Sequence, residues 1–280
     1  MKIGMNMYLW TAHLGPEHRA LLTRISDIGF DGVEVPVFEG DARHYRMLAA
    51  MLADLGLECT AVYALTDPAA NLIGDAAAQR LGIDQMRRAL DRAAALGAGL
   101  ICGPLHSTLG QFSGQGPTRA EYARSITAQR AIGDHAAGQG ITVALEPLNR
   151  FECYLINTMA DLAAHLDEIA HPNIRGMYDS FHANIEEADP VAALTGHARV
   201  LAHVHISENH RGVPGRGNIR WPETFAAIKS AGYDGWLTIE SFGRALPALA
   251  AATKVWRDLA ESPEAVCQEG FRFIAAALGR

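Results

Sequence analysis

Short runs of apolar residues alternate along the chain with longer stretches in which apolar residues recur at helical spacing. Strands that alternate with amphipathic helices in this way are typical of a parallel β/α fold. Eight such strand–helix units follow one another, and no linker, repeat or low-complexity tract interrupts them. The pattern therefore predicts an α/β chain, a (β/α)8 TIM barrel, that forms one domain over residues 1–280.

Glycine, proline and polar capping residues indicate where the predicted elements begin and end. Thr118, with Glu121 three residues later, forms a capping box that starts one helix. The predicted strands are residues 3–9, 32–35, 58–63, 99–103, 143–146, 176–179, 203–205 and 237–240. The predicted helices are residues 16–29, 41–55, 75–96, 118–138, 158–169, 189–194, 222–231 and 245–278, the last open to an interruption at Ser262 and Pro263.

The last four predicted strands each end in a carboxylate or an imidazole. These residues are Glu146, Asp179, His205 and Glu240. The carboxyl ends of neighbouring strands converge at the mouth of a closed barrel, where such enzymes keep their active sites. Three carboxylates and an imidazole would repel one another there unless a cation lay between them. One acidic strand end is more often a cap or an ion pair, but four on consecutive strands predict a divalent-metal site.

Further polar residues lie near these strand ends. His182 follows Asp179 by three residues, so we expect it at the same mouth. His203 and His205 share one face of their strand because side chains alternate, and His205, nearer the carboxyl end, is the favoured ligand. We expect His203 to be a buried histidine without a ligand role. Glu34 ends the second strand and is expected to support another side chain by hydrogen bonding.

The loop over residues 207–217 is dense in polar residues and glycines, and it leaves two interpretations open. It is either a phosphate-binding loop, since barrels often hold phosphate in this region, or a lid that supplies one arginine to a neutral polyol. No nucleotide-binding fingerprint occurs. The long loop over residues 105–117 carries no recognisable motif, and Glu186 and Glu187 are expected to form a solvated turn.

The composition and charge of the chain limit the classes of partner it is expected to bind. Hydrophobic residues make up 49% of the chain and charged residues 20%, and the net charge is −7. This balance is ordinary for a globular protein and argues against nucleic acid or an anionic membrane as the main partner. The four cysteines form no short-range pair, which favours a reducing compartment. With no signal peptide and no long apolar run, we expect a cytoplasmic protein.

Three segments together resemble one enzyme family. Residues 145–152 read LEPLNRFE, residues 179–187 read DSFHANIEE, and residues 205–211 read HISENHR. They are similar to the ketose 3-epimerases, which include the D-tagatose, D-psicose (allulose) and L-ribulose 3-epimerases within the xylose-isomerase-like barrels. The resemblance covers essentially the whole chain. The chain departs from the family pattern at Ser180 (usually Thr), at Ser241 (commonly Pro) and at Asn6, where some members place an aromatic residue against the sugar.

The resemblance implies a small-molecule sugar substrate, a metal and a set of roles. Glu146, Asp179, His205 and Glu240 would bind Mn²⁺, with Co²⁺ or Mg²⁺ as alternatives. Glu152, His182 and Arg211 would bind the O1–O2 end of the ketose. The implied reaction is metal-dependent epimerisation at C3 of free ketoses through an enediolate, with Glu146 and Glu240 as acid/base groups on opposite faces. A homodimer or homotetramer is also implied.

Other functions stay open on the sequence. An aldose–ketose or hydroxypyruvate-type isomerase uses similar metal chemistry but moves the proton between C1 and C2. A non-catalytic sugar-binding protein would not need two carboxylates on opposite faces of one carbon. An apurinic endonuclease of the related barrel type would need more histidine ligands and a basic groove, and the negative net charge disfavours it.

Overall fold

Eight parallel strands form a closed barrel in the computed structural model, which describes residues 1–280. Each strand pairs with the next along the chain, and the first pairs with the last. This confirms the predicted TIM barrel. The strands are Lys2–Asn6 (β1), Gly32–Pro36 (β2), Glu58–Val62 (β3), Leu100–Gly103 (β4), Thr142–Leu145 (β5), Ile174–Asp179 (β6), Leu201–Ile206 (β7) and Trp236–Ile239 (β8).

Ten helices surround the barrel, and most begin at a capping side chain. Asp41, Asp75, Thr118 and Thr158 each accept a backbone N–H of the first turn that follows. None of the helices is both long and apolar enough to cross a bilayer. The helices are Arg19–Ile28 (α1), Ala42–Asp54 (α2), Ala76–Leu96 (α3), Arg119–Gln139 (α4), Met159–Ile169 (α5), Ser180–Glu186 (α6), Pro190–Gly196 (α7), Trp221–Ser230 (α8), Pro247–Ala252 (α9) and Pro263–Leu278 (α10).

Two local predictions were wrong. The first strand is shorter than predicted because the side chain of Asn6 accepts the N–H of Tyr8 and starts a short 3-10 helix, Met7–Leu9. Helix α6 was missed; it begins directly after β6 because Asp179 caps it. The interruption predicted at Ser262 and Pro263 is confirmed, because the last helical region is two helices, α9 and α10, separated by a non-helical stretch that ends at Ser262.

Successive residues of each strand face opposite sides of the sheet, and the two sides differ in character. Residues such as Val204 and Ile206 pack outward against the helices in the main hydrophobic core. His203 and His205 alternate with them and face the barrel interior, and both are completely buried. The buried carboxylate of Glu34 contacts both histidines, at 2.8 Å from the Nε2 atom of each. The barrel interior therefore holds titratable groups that can take part in chemistry.

Candidate active site

Four side chains from consecutive strands meet at the carboxyl end of the barrel. Asp179 is the last residue of β6 and His205 lies near the end of β7, while Glu146 and Glu240 directly follow β5 and β8. One ligand atom of each lies within 4.8 Å of the others. All four are buried. The structure thus brings together the residues that the strand-end pattern singled out.

The imidazole of His205 turns its Nδ1 atom toward three carboxylates. Nδ1 lies 3.5 Å from Asp179 Oδ2, 3.5 Å from Glu240 Oε1 and 3.9 Å from Glu146 Oε1. Neither His205 Nδ1 nor Glu146 Oε1 has a hydrogen-bond partner, although both are buried. Oxygen-rich sites with one imidazole suit ions such as Mg²⁺ or Mn²⁺, whose bonds are roughly 2.1 Å long. The four residues therefore fit a divalent cation.

The guanidinium group of Arg211 is buried among the same carboxylates. Its Nη1 atom lies 2.5 Å from Glu240 Oε2 and 3.2 Å from Asp179 Oδ2. The rings of Phe181 and Phe242 pack against the guanidinium group, with their centroids 4.0 and 4.7 Å from its central carbon. The backbone of Arg211 has φ of +61°, a conformation that is unfavourable for any residue with a Cβ. Loop strain at a buried charge is typical of a functional site.

The carboxylates of the cluster differ in their affinity for protons. Burial acts to raise the pKa of Asp179, but Arg211 and His205 oppose it, and the pKa lies well below its usual range. Burial, and then the nearby charge of Glu240, raises the pKa of Glu146 well above its usual value. Without a cation the cluster thus holds one carboxylate that ionises readily and one that retains its proton.

His182 is held in one tautomer by Asn149. The Nδ1 atom of His182 accepts the backbone N–H of Asn149 at 3.0 Å, so the proton of the neutral ring lies on Nε2. Burial lowers the pKa of His182, which keeps the ring neutral. Nε2 faces Glu146 Oε1 at 3.7 Å and Arg211 Nη2 at 3.0 Å. Arg211 Nη2 and His182 Nε2 thus lie within hydrogen-bond distance of each other, and a substrate oxygen within reach of both would accept from both.

Glu152 stands beside these groups. Its Oε1 atom accepts the side-chain N–H of Asn149 at 2.8 Å, and its side chain lines the same cavity as His182 and Arg211. Asn149 was not singled out from the sequence, although it lies in the LEPLNRFE segment. Asn149 joins two predicted substrate-binding residues, because it contacts both Glu152 and His182.

The loop over residues 207–217 is organised around a buried carboxylate. Glu208 is completely buried and accepts the backbone N–H groups of Gly215 and Ile219 and the indole N–H of Trp221. A Cβ at Gly217 would lie 2.3 Å from Glu208 Oε1, so only glycine allows this approach. Since the amide groups of the loop already bind an anionic side chain, the geometry supports the interpretation as a lid that supplies arginine rather than a phosphate-binding loop.

Two expectations about neighbouring residues were wrong. Glu186 and Glu187 do not form a solvated turn: Glu186 binds Arg150, with only 5% of its side chain exposed, and Glu187 accepts the backbone N–H of Met159 at 2.7 Å. Asn6 does not occupy the sugar-facing position that the family comparison suggested. It is completely buried, and its amide contacts two glutamates inside the barrel. The position of Asn6 at the end of a strand did not by itself reveal that it would contact these glutamates.

A cavity of about 420 Å³ opens above the cluster, within the usual range for small-molecule sites. Its charged lining residues all follow β5, β6, β7 or β8. The lining contributed after β1 to β4 is uncharged and is joined by apolar residues of α9. The lining residues that are charged or can become charged are Glu146, Glu152, His182, Arg211 and Glu240. The cavity thus has a polar, reactive side and an uncharged side.

The sequence matches a family model described as a xylose isomerase-like TIM barrel over residues 22–276. A ketose 3-epimerase of Arthrobacter globiformis is 34% identical over 92% of this chain and 90% of its own length. The chain belongs to this epimerase family. An L-ribulose 3-epimerase of Methylomonas sp. is 35% identical over 79% of this chain and 75% of that protein.

Solved structures agree with this assignment. A D-allulose 3-epimerase from Methylomonas sp. in complex with D-allulose superposes with a TM-score of 0.91 and 29% identity, over 99% of this chain and 97% of that one. The chain is therefore a carbohydrate epimerase, an isomerase, and the family predicted from the NRFE, FHANIEE and HISENHR segments is confirmed.

Proposed function

We propose that this chain catalyses metal-dependent epimerisation at C3 of unphosphorylated ketoses of the D-tagatose, D-psicose, D-fructose or L-ribulose type. The observation that supports this most strongly is the position of Glu146 and Glu240. They follow β5 and β8 and lie on either side of Asp179 and His205 in the same buried cluster. Epimerisation needs a proton removed from one face of a carbon and another delivered to the opposite face. Two facing carboxylates meet that need.

A divalent ion held by Glu146, Asp179, His205 and Glu240 supplies Lewis acidity to the ketose carbonyl and a template for its oxygens. We propose Mn²⁺ for this role, with Co²⁺ or Mg²⁺ as alternatives, because three of the four donors are carboxylates.

The two glutamates differ in a way that suits opposite roles. Glu240 is paired with Arg211, whereas Glu146 Oε1 has no partner and its pKa is raised by burial and by Glu240. Environments that separate the proton affinities of two carboxyl groups allow one to act as base and the other as acid. In the direction where Glu240 removes the C3 proton, Glu146 takes up a proton from solvent in the ion-bound protein and delivers it to the opposite face. The roles reverse for the other epimer.

The developing negative charge requires donors that are already in place. Nε2 of His182 and Nη2 of Arg211 lie 3.0 Å apart at the cavity. An enediolate oxygen that lay beside this pair, within hydrogen-bond distance of both nitrogens, would accept from both. Glu152, fixed by Asn149, is placed to accept a substrate hydroxyl. These positions support the substrate-binding roles proposed for His182, Arg211 and Glu152.

The substrate is proposed to be unphosphorylated because the cavity has no spare positive charge. Arg211 is the sole arginine or lysine that lines the cavity, and it is engaged with Asp179 and Glu240. The loop amides that could bind phosphate donate to Glu208 instead. A phosphate dianion would lose its hydration without gaining a counter-charge. The homodimer or homotetramer and the cytoplasmic location stay predictions from the sequence.

Single-turnover reaction with a panel of ketoses in deuterated water tests the proposal. The product should be the C3 epimer, carrying deuterium at C3 and none at C1. Glu146→Gln and Glu240→Gln should each abolish epimerisation. A variant that retains the ion should still exchange the C3 hydrogen of one epimer, through the glutamate that remains. Glu223→Gln, exposed on α8, is the matched control.

Three outcomes would contradict the proposal. Deuterium at C1 with an aldose as product would assign the chain to the aldose–ketose isomerases. A strong preference for phosphorylated ketoses would show that the loop around Glu208 has been misinterpreted. Binding of ketoses without any exchange of the C3 hydrogen would support a sugar-binding protein instead.

A further inference from the structure

Glu34, in the middle of β2, is completely buried inside the barrel next to His205. A buried carboxylate is unfavourable unless hydrogen-bond donors surround it. Five polar atoms surround this one. Oε1 is contacted by His205 Nε2 at 2.8 Å and Asn6 Nδ2 at 2.9 Å, and Oε2 by His203 Nε2 at 2.8 Å, Thr60 Oγ1 at 2.9 Å and Cys102 Sγ at 3.1 Å.

The orientation of the Asn6 amide determines which nitrogen of His205 carries the proton. The Oδ1 atom of Asn6 accepts the backbone N–H of Tyr8 at 2.8 Å, so its NH₂ group faces Glu34 and donates to Oε1. Glu34 Oε1 is therefore an acceptor, and His205 Nε2, 2.8 Å away, must be the donor. A neutral imidazole has one N–H. Nδ1 then keeps its lone pair, and this is the atom that faces the three carboxylates.

The same amide extends the contact to β8. Asn6 Nδ2 lies 3.3 Å from Glu240 Oε1 as well as 2.9 Å from Glu34 Oε1. Glu34 thus contacts His205 directly and is linked to Glu240 through one buried side chain. Neither Glu34 nor Asn6 lines the substrate cavity.

We propose that Glu34 is a positioning residue that fixes the tautomer of His205, so that Nδ1 is free to bind the divalent ion. Through Asn6, Glu34 also holds Glu240 in place. The inference rests on the proposed ion site. In the other tautomer, Nδ1–H would donate to Asp179 or Glu240 and its lone pair would be lost to the ion. Carboxylate partners of ligand histidines act in this way, and removing them typically weakens metal binding about 10- to 100-fold.

A second ion held by Glu34, Cys102, His203 and His205 is the competing explanation, because their donor atoms lie within 4.8 Å of one another. The distances favour hydrogen bonds. Glu34 lies 2.8 Å from His205 Nε2 and 3.1 Å from Cys102 Sγ, and both contacts are direct hydrogen bonds. Tetrahedral ligands around an ion with bonds of roughly 2.0 to 2.3 Å would stand farther apart.

The tautomer is measured on the metal-free protein, at a pH high enough for the ring of His205 to be neutral, since only a neutral imidazole has a tautomer. Two-bond ¹H–¹⁵N correlations of the imidazole rings distinguish Nε2–H from Nδ1–H. In the wild-type chain His205 should be the Nε2–H form. Glu34→Met, which removes both acceptor oxygens at similar length, should populate the Nδ1–H form. Thr60→Val is the matched control, since it removes one donor to Oε2 and leaves the Oε1 contacts of Glu34 in place. It should keep the wild-type tautomer.

Ion binding is measured separately by titration with Mn²⁺, following the paramagnetic resonance signal of the free ion. Glu34→Met should bind Mn²⁺ about 100-fold more weakly and Glu34→Gln about 10-fold more weakly, because the amide keeps an acceptor but not the charge. Thr60→Val should bind Mn²⁺ as the wild-type chain does. If Glu34→Met does not fold, Glu34→Gln decides the question, because it preserves shape and volume.

Each outcome has one meaning. Unchanged tautomer and unchanged Mn²⁺ affinity in a folded Glu34 variant would overturn this inference and leave the proposed function standing. A wild-type chain that binds no divalent ion would refute the proposed function, whatever the tautomer measurement shows. Two ions per wild-type chain, with one lost in Cys102→Ser, would replace the inference by the second site.

Discussion

Arg211 and Glu240 share a hydrogen bond of 2.5 Å between Nη1 and Oε2, although Glu240 is also a proposed ligand of the divalent ion. The two residues lie on the loop after β7 and at the end of β8, and both are buried. The arginine therefore neutralises charge in the cluster before any ion arrives. It also competes with the ion for Glu240 and Asp179.

This competition predicts that Arg211→Met binds Mn²⁺ more tightly than the wild-type chain. Methionine keeps apolar contact with Phe181 and Phe242 but removes the positive charge. Turnover should fall by roughly 10²–10³-fold, as expected when a donor to developing negative charge is removed. Stability of the metal-free protein should fall by about 3–5 kcal/mol, the usual effect of breaking a buried ion pair. Titration with Mn²⁺ and denaturation with urea measure both effects.

Arg150→Met is the control for Arg211→Met, because Arg150 pairs with Glu186 outside the cavity. It should leave the Mn²⁺ affinity unchanged. If Arg211→Met instead lost its affinity for Mn²⁺, the arginine would be part of the framework that shapes the ion site.

Binding of the ion should release a proton from Glu146. Burial and Glu240 raise the pKa of Glu146 well above its usual value, so in the metal-free protein this carboxyl group is protonated below that raised pKa. The ion must displace the proton, and its affinity should increase as the pH rises toward the raised pKa. Calorimetry in buffers of different ionisation enthalpy counts the released protons. Glu146→Gln should release none, and equal heats in all buffers for the wild-type chain would contradict the assignment.

Glu208→Gln should loosen the loop that carries Arg211. The amide replaces an acceptor by a donor and would leave at least one of the N–H groups of Gly215, Ile219 and Trp221 without a partner. Each unsatisfied buried group costs about 1–3 kcal/mol. We expect a lower melting temperature, faster tryptic cleavage at Arg216 and a lower kcat/KM. Glu223→Gln serves as the control; equal cleavage rates in the two variants would exclude the proposed role of Glu208.

Two buried histidines that are not proposed ligands of the ion should make the fold sensitive to acid. Burial lowers the pKa of His165 to about 4, and burial together with His165 lowers that of His106 to about 3. Both rings are neutral in the folded chain and take up protons when unfolded below pH 6.5. Their contribution to stability is complete above pH 6.5. It falls as the pH drops, by up to about 1.4 kcal/mol per pH unit for each ring.

Denaturation in urea at pH 7, 6 and 5 measures this loss. His165→Gln should be less stable than the wild-type chain at pH 7, because it disturbs the contact with Ser125, but its stability should fall less steeply toward pH 5. Parallel pH profiles for the two proteins would show that other groups cause the sensitivity to acid.

The sequence predicted the barrel and the four-residue cluster because both follow from local patterns. Alternating elements predict a parallel barrel, and the ends of parallel strands meet at one edge whatever the loops do. No knowledge of neighbouring residues was needed to predict the cluster of Glu146, Asp179, His205 and Glu240. Glu34 was expected to support another side chain, and its hydrogen bond to His205 confirms that expectation.

The surroundings of Arg211 could not be predicted in the same way. It lies in a polar, glycine-rich loop, which suggests exposure, yet Phe181 and Phe242 from two other strand ends bury it. Glu208 is a similar case, since its partners are backbone N–H groups that no residue pattern records. Burial of a charge depends on which distant residues surround it. A linear pattern does not contain that information.

The uneven lining of the cavity has a consequence for changing the enzyme. All the carboxylate, imidazole and guanidinium groups of the lining follow the later strands, from Glu146 onward, whereas Tyr8, Phe38 and Leu109 contribute an uncharged wall from the earlier half of the chain. The groups proposed to transfer protons and the uncharged wall are thus encoded in separate stretches of the gene. Variation confined to the loops after the first four strands, together with α9, offers a route to new substrate preferences with the reactive groups untouched.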